Sequence, residues 1–226
     1  MNHSANAPVH RRRLLAGAAA VAGGVVLGAG RAPGPAYAGV AAPRVYTRAE
    51  WEARPPSGAI EYLDRVPDHI VVHHTAGENT SDFSLAAAFR HSRWIQDLHM
   101  DRYGWADAGQ QLTISRGGHV MEGRWLSLRA IWERQHVLGA HTAGHNEHTV
   151  GIENEGTYVT AEVPDALFAA LVTTCAWLCA GYDLDPYTAI VGHRDYVTTT
   201  ACPGDVLYDR LPELRRRVAS RLDGRS

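Results

Sequence analysis

The chain has 226 residues, with 22 basic residues, all of them arginine, against 24 acidic ones, for a formal charge of −2. Four of the arginines and none of the acids fall in residues 1–38, so residues 39–226 hold 18 bases against 24 acids, a net of −6 over 188 residues. That length supports one domain with a substantial core, the acidic balance excludes nucleic acid and anionic membrane surfaces as main partners, and the lack of lysine removes one common proton-transfer group.

Arg11–Arg12–Arg13–Leu14–Leu15 opens an apolar Gly/Ala/Val stretch that runs to about Gly30, followed by Ala36–Tyr37–Ala38. This reads as an export signal, similar to the twin-arginine type, with cleavage after Ala38. The other reading is a membrane anchor, but the stretch is rich in small residues and close to the shortest length that spans. The expectation is an exported protein, secreted or wall-associated, with no stable membrane span after cleavage. An Ala/Pro linker over 39–44 then leads into a domain over 45–226.

Within the domain, Thr47 followed by Glu50 predicts a capping box for a short helix ending at Pro55–Pro56. His69–His74 is a compact β-branched run and predicts a buried strand, ended by Thr75–Ala76–Gly77. Ser81 or Asp82 caps a helix to about Met100, with Leu85, Phe89, Ile95 and Leu98 near a helical period. Residues 111–116 and 119–124 flank Gly117–Gly118 as a hairpin. Residues 125–147 read as irregular, and 149–154 as a strand. Pro164 opens a helix to about Ala180, a short strand at 189–191 feeds His193, and a last helix covers about 212–222. The order predicts an α/β fold, a single mixed central β-sheet flanked by helices.

The chemistry centres on Gly192–His193–Arg194–Asp195 and Cys202–Pro203–Gly204–Asp205. His193 and Cys202 are nine residues apart, which on a helix would separate them by about 13 Å. The threonine run 198–200, Pro203 and Gly204 predict a loop instead, which can fold Cys202 back toward His193. An isolated pair of this kind is more often a turn with a structural cysteine. His73, at the exit of a buried strand, changes the balance. Two imidazoles and a thiolate suit Zn²⁺ and leave a fourth position open. The three cysteines leave an alternative: Cys175 and Cys179 stay free in the core, or one pairs with Cys202 and removes that ligand.

Ile70–Val71–Val72–His73–His74–Thr75–Ala76, Gly139–Ala140–His141, Gly144–His145–Asn146, Val150–Gly151–Ile152–Glu153 and the two motifs around His193 and Cys202 together resemble the type-2 N-acetylmuramoyl-L-alanine amidase and peptidoglycan recognition protein family. The resemblance covers residues 45 to about 220. It implies a mixed sheet with flanking helices, peptidoglycan or muramyl peptides as partners, and zinc-dependent hydrolysis of the amide between the lactyl group and L-alanine. It places the metal ligands on His73, His193 and Cys202. Gln110 stands where the family has its catalytic tyrosine, and glutamine has no titratable proton. Thr200 stands where some members have a lysine. By similarity to a branch that works without the tyrosine, Glu153 is expected to be the base, with His141 as donor to the carbonyl oxygen or the leaving amine. Asn146, Trp105 and Thr200 are expected at the substrate, with Trp125 and Trp132 also flanking the groove in sequence. The alternative is a non-catalytic peptidoglycan-binding module on the same fold, which Gln110 favours.

Overall fold

The computed structural model of the chain describes residues 37 and 39–224, so the export signal expected in residues 1–38 lies, Tyr37 apart, outside the described residues. In chain order the strands are β1 (Val45–Tyr46), β2 (Tyr62–Leu63), β3 (His69–His74), β4 (Leu112–Ile114), β5 (Val120–Glu122), β6 (His136–Val137), β7 (Thr149–Asn154) and β8 (Ile190–Gly192). The helices are α1 (Leu85–Asp97), α2 (Ser127–Trp132), α3 (Asp165–Tyr182), α4 (Pro186–Ala189), α5 (Asp205–Asp209) and α6 (Leu211–Leu222). Six strands form one sheet in the order β1-β5-β4-β7-β3-β8, while β2 and β6 pair separately. β3 lies between β7 and β8 and is parallel to both; β4 and β5 form the antiparallel hairpin, so the sheet is mixed as expected.

Alternation along β3 and β7 divides the sheet into two chemically different faces. Ile70, Val72, Val150 and Ile152 face a core completed by Leu167, Leu171 and Cys175 of α3 and by Leu214 and Val218 of α6. Each such aliphatic side chain contributes about 1.5–3 kcal/mol when fully buried. α3 is long and apolar enough to cross a membrane by length and composition, but 67% of it is buried inside the domain, as expected of a core helix. His73 and Glu153 pair in register and take the opposite face.

Several elements differ from the sequence expectation. After Thr47 the chain makes turns and no helix, although Glu50 Oε2 accepts from both Thr47 N (2.8 Å) and Thr47 Oγ1 (3.0 Å). Glu52 at φ 60° breaks the helical path. α1 is capped by Ser84, whose Oγ accepts from Ala87 N, and it buries Ala88, Ser92, Ile95 and Gln96. Gln96 can be buried because its amide donates to Asp107 Oδ1 (2.8 Å) and to the Arg54 carbonyl (3.0 Å). Residues 125–147, expected to be irregular, contain α2 and β6. Val40, in the segment expected as a linker, belongs to the core, and Tyr37, just before that segment, donates its hydroxyl to the carbonyls of Ile131 (2.9 Å) and Trp132 (3.1 Å).

Candidate metal centre and pocket

Three separate segments bring His73, His193 and Cys202 together. His73 sits near the end of β3, fixed by that strand's pairing on both sides. His193 follows β8 in a single helical turn, His193–Asp195, held by Gly192 N donating to Asp195 Oδ2 (2.8 Å). Arg194 then gathers the following loop. Its backbone N–H donates to the Cys202 carbonyl (3.1 Å), its guanidinium reaches the Ala201 carbonyl, and Nη1 pairs with Asp205 (2.8 Å). Cys202 is thereby folded back as expected, and Thr200 Oγ1 accepts from its backbone N–H (3.2 Å).

One donor atom from each of the three residues lies within 4.8 Å of the other two. Cys202 Sγ is 3.6 Å from His73 Nδ1 and accepts from the His74 backbone N–H at 3.4 Å. All three cysteines are free, with Cys175 and Cys179 inside the core, so the pairing that would remove Cys202 from the site does not occur.

Burial lowers the pKa of both His73 and His193, so their ring nitrogens are neutral at physiological pH. Burial, and then the Glu153 carboxyl, push the Cys202 thiol well above its ordinary value. Burial likewise pushes Glu153 up to about 8. Glu153 Oε2 is shielded and has no hydrogen-bond partner. Two neutral imidazoles, a thiol and an unsatisfied carboxyl are costly neighbours without a cation, and a divalent ion favours the ionised form of both acids. The donor set and the orphaned oxygen therefore fit the zinc ion expected from the sequence.

The pocket around them has a volume of about 250 Å³ and is lined by His73, His74, His99, Trp105, His141, Glu153, His193, Thr200 and Cys202, among others. Trp105 and Thr200 thus reach the site, whereas Trp125 and Trp132 do not line it. Gln110 lies outside this lining as well; its Nε2 donates to Thr113 Oγ1 (2.9 Å), and Thr113 pairs with Glu153 across the sheet.

Two expected residues do something different. Asn146 turns its side-chain oxygen inward, accepting from the backbone N–H groups of His141 (2.8 Å) and Thr142 (2.9 Å), so it shapes the loop that carries His141. His141 has both ring nitrogens occupied, Nε2 by the Thr149 carbonyl (3.2 Å) and Nδ1 by His73 Nε2 (3.1 Å) and Thr142 Oγ1 (3.0 Å). In this arrangement both its nitrogens are engaged within the protein, while its ring also lines the pocket. Its ring lies directly on Gly151, where an added Cβ would come within 2.6 Å of it.

His99 was missed in the sequence. It lies on the π-helical turn Leu98–Arg102 that extends α1, and its Nδ1 accepts from Gly109 N (3.0 Å). Burial holds its pKa at about 4, so it is neutral with its proton on Nε2, a fixed donor in the pocket wall. The sequence signal was its place four residues beyond Ile95, on the buried face of the helix.

The geometry and the comparisons with known proteins agree. The family model described as N-acetylmuramoyl-L-alanine amidase matches residues 63–205. The chain belongs to the N-acetylmuramoyl-L-alanine amidase family. It is 35% identical over 197 residues to an N-acetylmuramoyl-L-alanine amidase of Sus scrofa, covering 81% of this chain but 30% of that protein. A second amidase, from Homo sapiens, is 36% identical over 174 residues, 75% of this chain and 28% of its own length. The chain thus spans less than a third of the length of these relatives. Among solved structures, a variant of Drosophila peptidoglycan-recognition protein LB in complex with tracheal cytotoxin superposes with a TM-score of 0.64 at 27% identity, covering 74% of this chain and 92% of that one.

Proposed function

We propose that the protein is an exported, zinc-dependent N-acetylmuramoyl-L-alanine amidase that hydrolyses the lactyl–L-alanine amide of peptidoglycan. The observation that carries this reading is the convergence of His73, His193 and Cys202 donors within 4.8 Å beside the unpartnered Glu153 oxygen. The Drosophila relative's complex with tracheal cytotoxin supports the substrate class. A substrate outside the cytoplasmic membrane accords with the signal read in residues 1–38.

His73, His193 and Cys202 would hold the ion, which when bound supplies Lewis-acid polarisation of the carbonyl and a more acidic water. Glu153 takes a proton from the attacking water and delivers it to the departing nitrogen. The amide C–N bond breaks, the water oxygen joins the lactyl carbon, and the stem peptide leaves with a free amino terminus. His141 positions His73 from behind. Trp105 offers an apolar ring to the substrate, and His99 an N–H donor.

The test is release of new amino termini from a muramyl pentapeptide by the zinc-loaded protein, by the chelated protein, and after zinc is restored. Activity is expected to be lost with chelator and to return with zinc. The second reading, a peptidoglycan-binding module, is favoured by Gln110 in place of the tyrosine. Tight muramyl-peptide binding with no amide release by the zinc-loaded protein would establish it instead.

A further inference from the structure

Among the described residues a second group of ligand-type side chains gathers at the other end of β3. Asp68 and His69 stand where the strand begins and His148 immediately before β7, and one donor atom of each lies within 4.8 Å of the others. His69 and His73 are four residues apart on an extended strand, so this group is about 13 Å from the first along the chain.

Several observations go beyond mere proximity. His69 Nδ1 and His148 Nδ1 are both buried without a hydrogen-bond partner. A buried nitrogen without a partner is costly, and this group holds two of them. His148 Nδ1 lies 3.4 Å from Asp68 Oδ2, a carboxylate that is exposed. The other nitrogen of His148, Nε2, is 3.1 Å from His145 Nδ1. That repeats the pattern at the first site, where His73 turns one nitrogen toward Cys202 and the other toward a supporting imidazole. Tyr196 closes the group, stacked on His145 with ring centroids 4.0 Å apart and meeting His69 edge-on at 5.9 Å. Burial holds the His69 imidazole below its ordinary pKa, in the neutral form that metals require.

We propose that Asp68, His69 and His148 form a second divalent transition-metal site, for an ion of the zinc class, with His145 orienting His148. Two imidazoles and one carboxylate suit a borderline ion and not calcium or magnesium, which take oxygen ligands. Donors around a tetrahedral zinc sit about 3.3–3.5 Å apart, so closure from the present spacing needs movements of about 1 Å, within reach of the exposed Asp68 side chain. The ion would tie the start of β3 to the loop that carries His141. Through the His145–Tyr196 stack it would also steady the turn that begins at His193. This site is structural and does not depend on hydrolysis.

The test is zinc uptake, by equilibrium dialysis and metal analysis, in the full chain carrying Cys202→Ala and His193→Ala, which removes the first site. About one saturable zinc per chain is expected there, and about two in the parent protein. Adding His148→Ala, or separately the milder Asp68→Asn, is expected to weaken the remaining uptake at least tenfold. Circular dichroism establishes that each variant is folded. In the double variant, zinc is also expected to shift the ring resonances of His69, His145 and His148. No saturable uptake by the folded double variant, or uptake unchanged by both further substitutions, would overturn the proposal.

Discussion

The Thr149 carbonyl fixes the tautomer of His73 although the two do not touch. A carbonyl oxygen only accepts, so His141 Nε2 donates to it at 3.2 Å and His141 Nδ1 is left as an acceptor. His73 Nε2, 3.1 Å away, must then carry the proton, and the His73 Nδ1 lone pair is turned toward Cys202. The hydrogen-bond network thus presets the nitrogen that a metal needs.

Replacement of His141 is expected to act on metal retention before chemistry. Supporting partners of this kind typically carry 10–100-fold in metal affinity. His141→Ala should weaken zinc by that factor in a chelator competition, and saturating zinc should recover a large part of the rate. A rate loss that excess zinc leaves untouched, with normal zinc affinity, would return His141 to a direct catalytic role.

Glu153→Gln is expected to do the reverse. It removes the proton carrier while leaving His73, His193 and Cys202 in place, so turnover should fall about 10²–10⁴-fold. Zinc content and muramyl-peptide affinity should stay near those of the parent. Full activity in this variant would exclude Glu153 as the base.

Gln110→Leu tests the missing tyrosine. Gln110 is buried, bonded through its amide to Thr113, and unable to transfer a proton. Hydrolysis should remain within about tenfold of the parent, the loss coming through repacking near Thr113. A collapse of turnover with zinc still bound would show that the position still serves the reaction.

Acid should destabilise the fold before carboxylates are titrated. Burial holds His91, His99 and His136 at about 4, below the ordinary 6.5. Above 6.5 both folded and unfolded forms are neutral and stability is level. Between 6.5 and 4 the unfolded chain binds more protons, so stability falls as pH falls, by up to about 2 kcal/mol per histidine from pH 7 to 5. Urea unfolding at the two pH values measures this. His136→Gln, which can keep a donor for the Asn146 carbonyl, should make the pH dependence shallower.

β3 was legible to the residue because its pattern depends only on local β-branched sequence, and β7 for the same reason. The metal-type triad was legible because the motifs fix His73, His193 and Cys202 one by one. α2 was not, since it follows Leu126 in a left-handed conformation with no side-chain cap, and carries no sequence signal of its start. His99 was hard to read because Ser92 and Gln96 share its buried face, leaving Ile95, four residues before it, as the one apolar marker beside it. The task of Asn146 could not be read either. Whether an amide points outward to a ligand or inward to its own loop is decided by tertiary contacts, here the backbone of residues 141 and 142.

Gly151 gives the molecule an unusual experimental handle. The His141 ring rests where its side chain would be, so one methyl group at 151 must dislodge that ring or shift a central strand. Gly151→Ala therefore disturbs the support behind His73 while leaving every proposed ligand and the base chemically unaltered. By the same reasoning as for His141, such a variant should bind zinc more weakly and regain much of its rate when zinc is saturating.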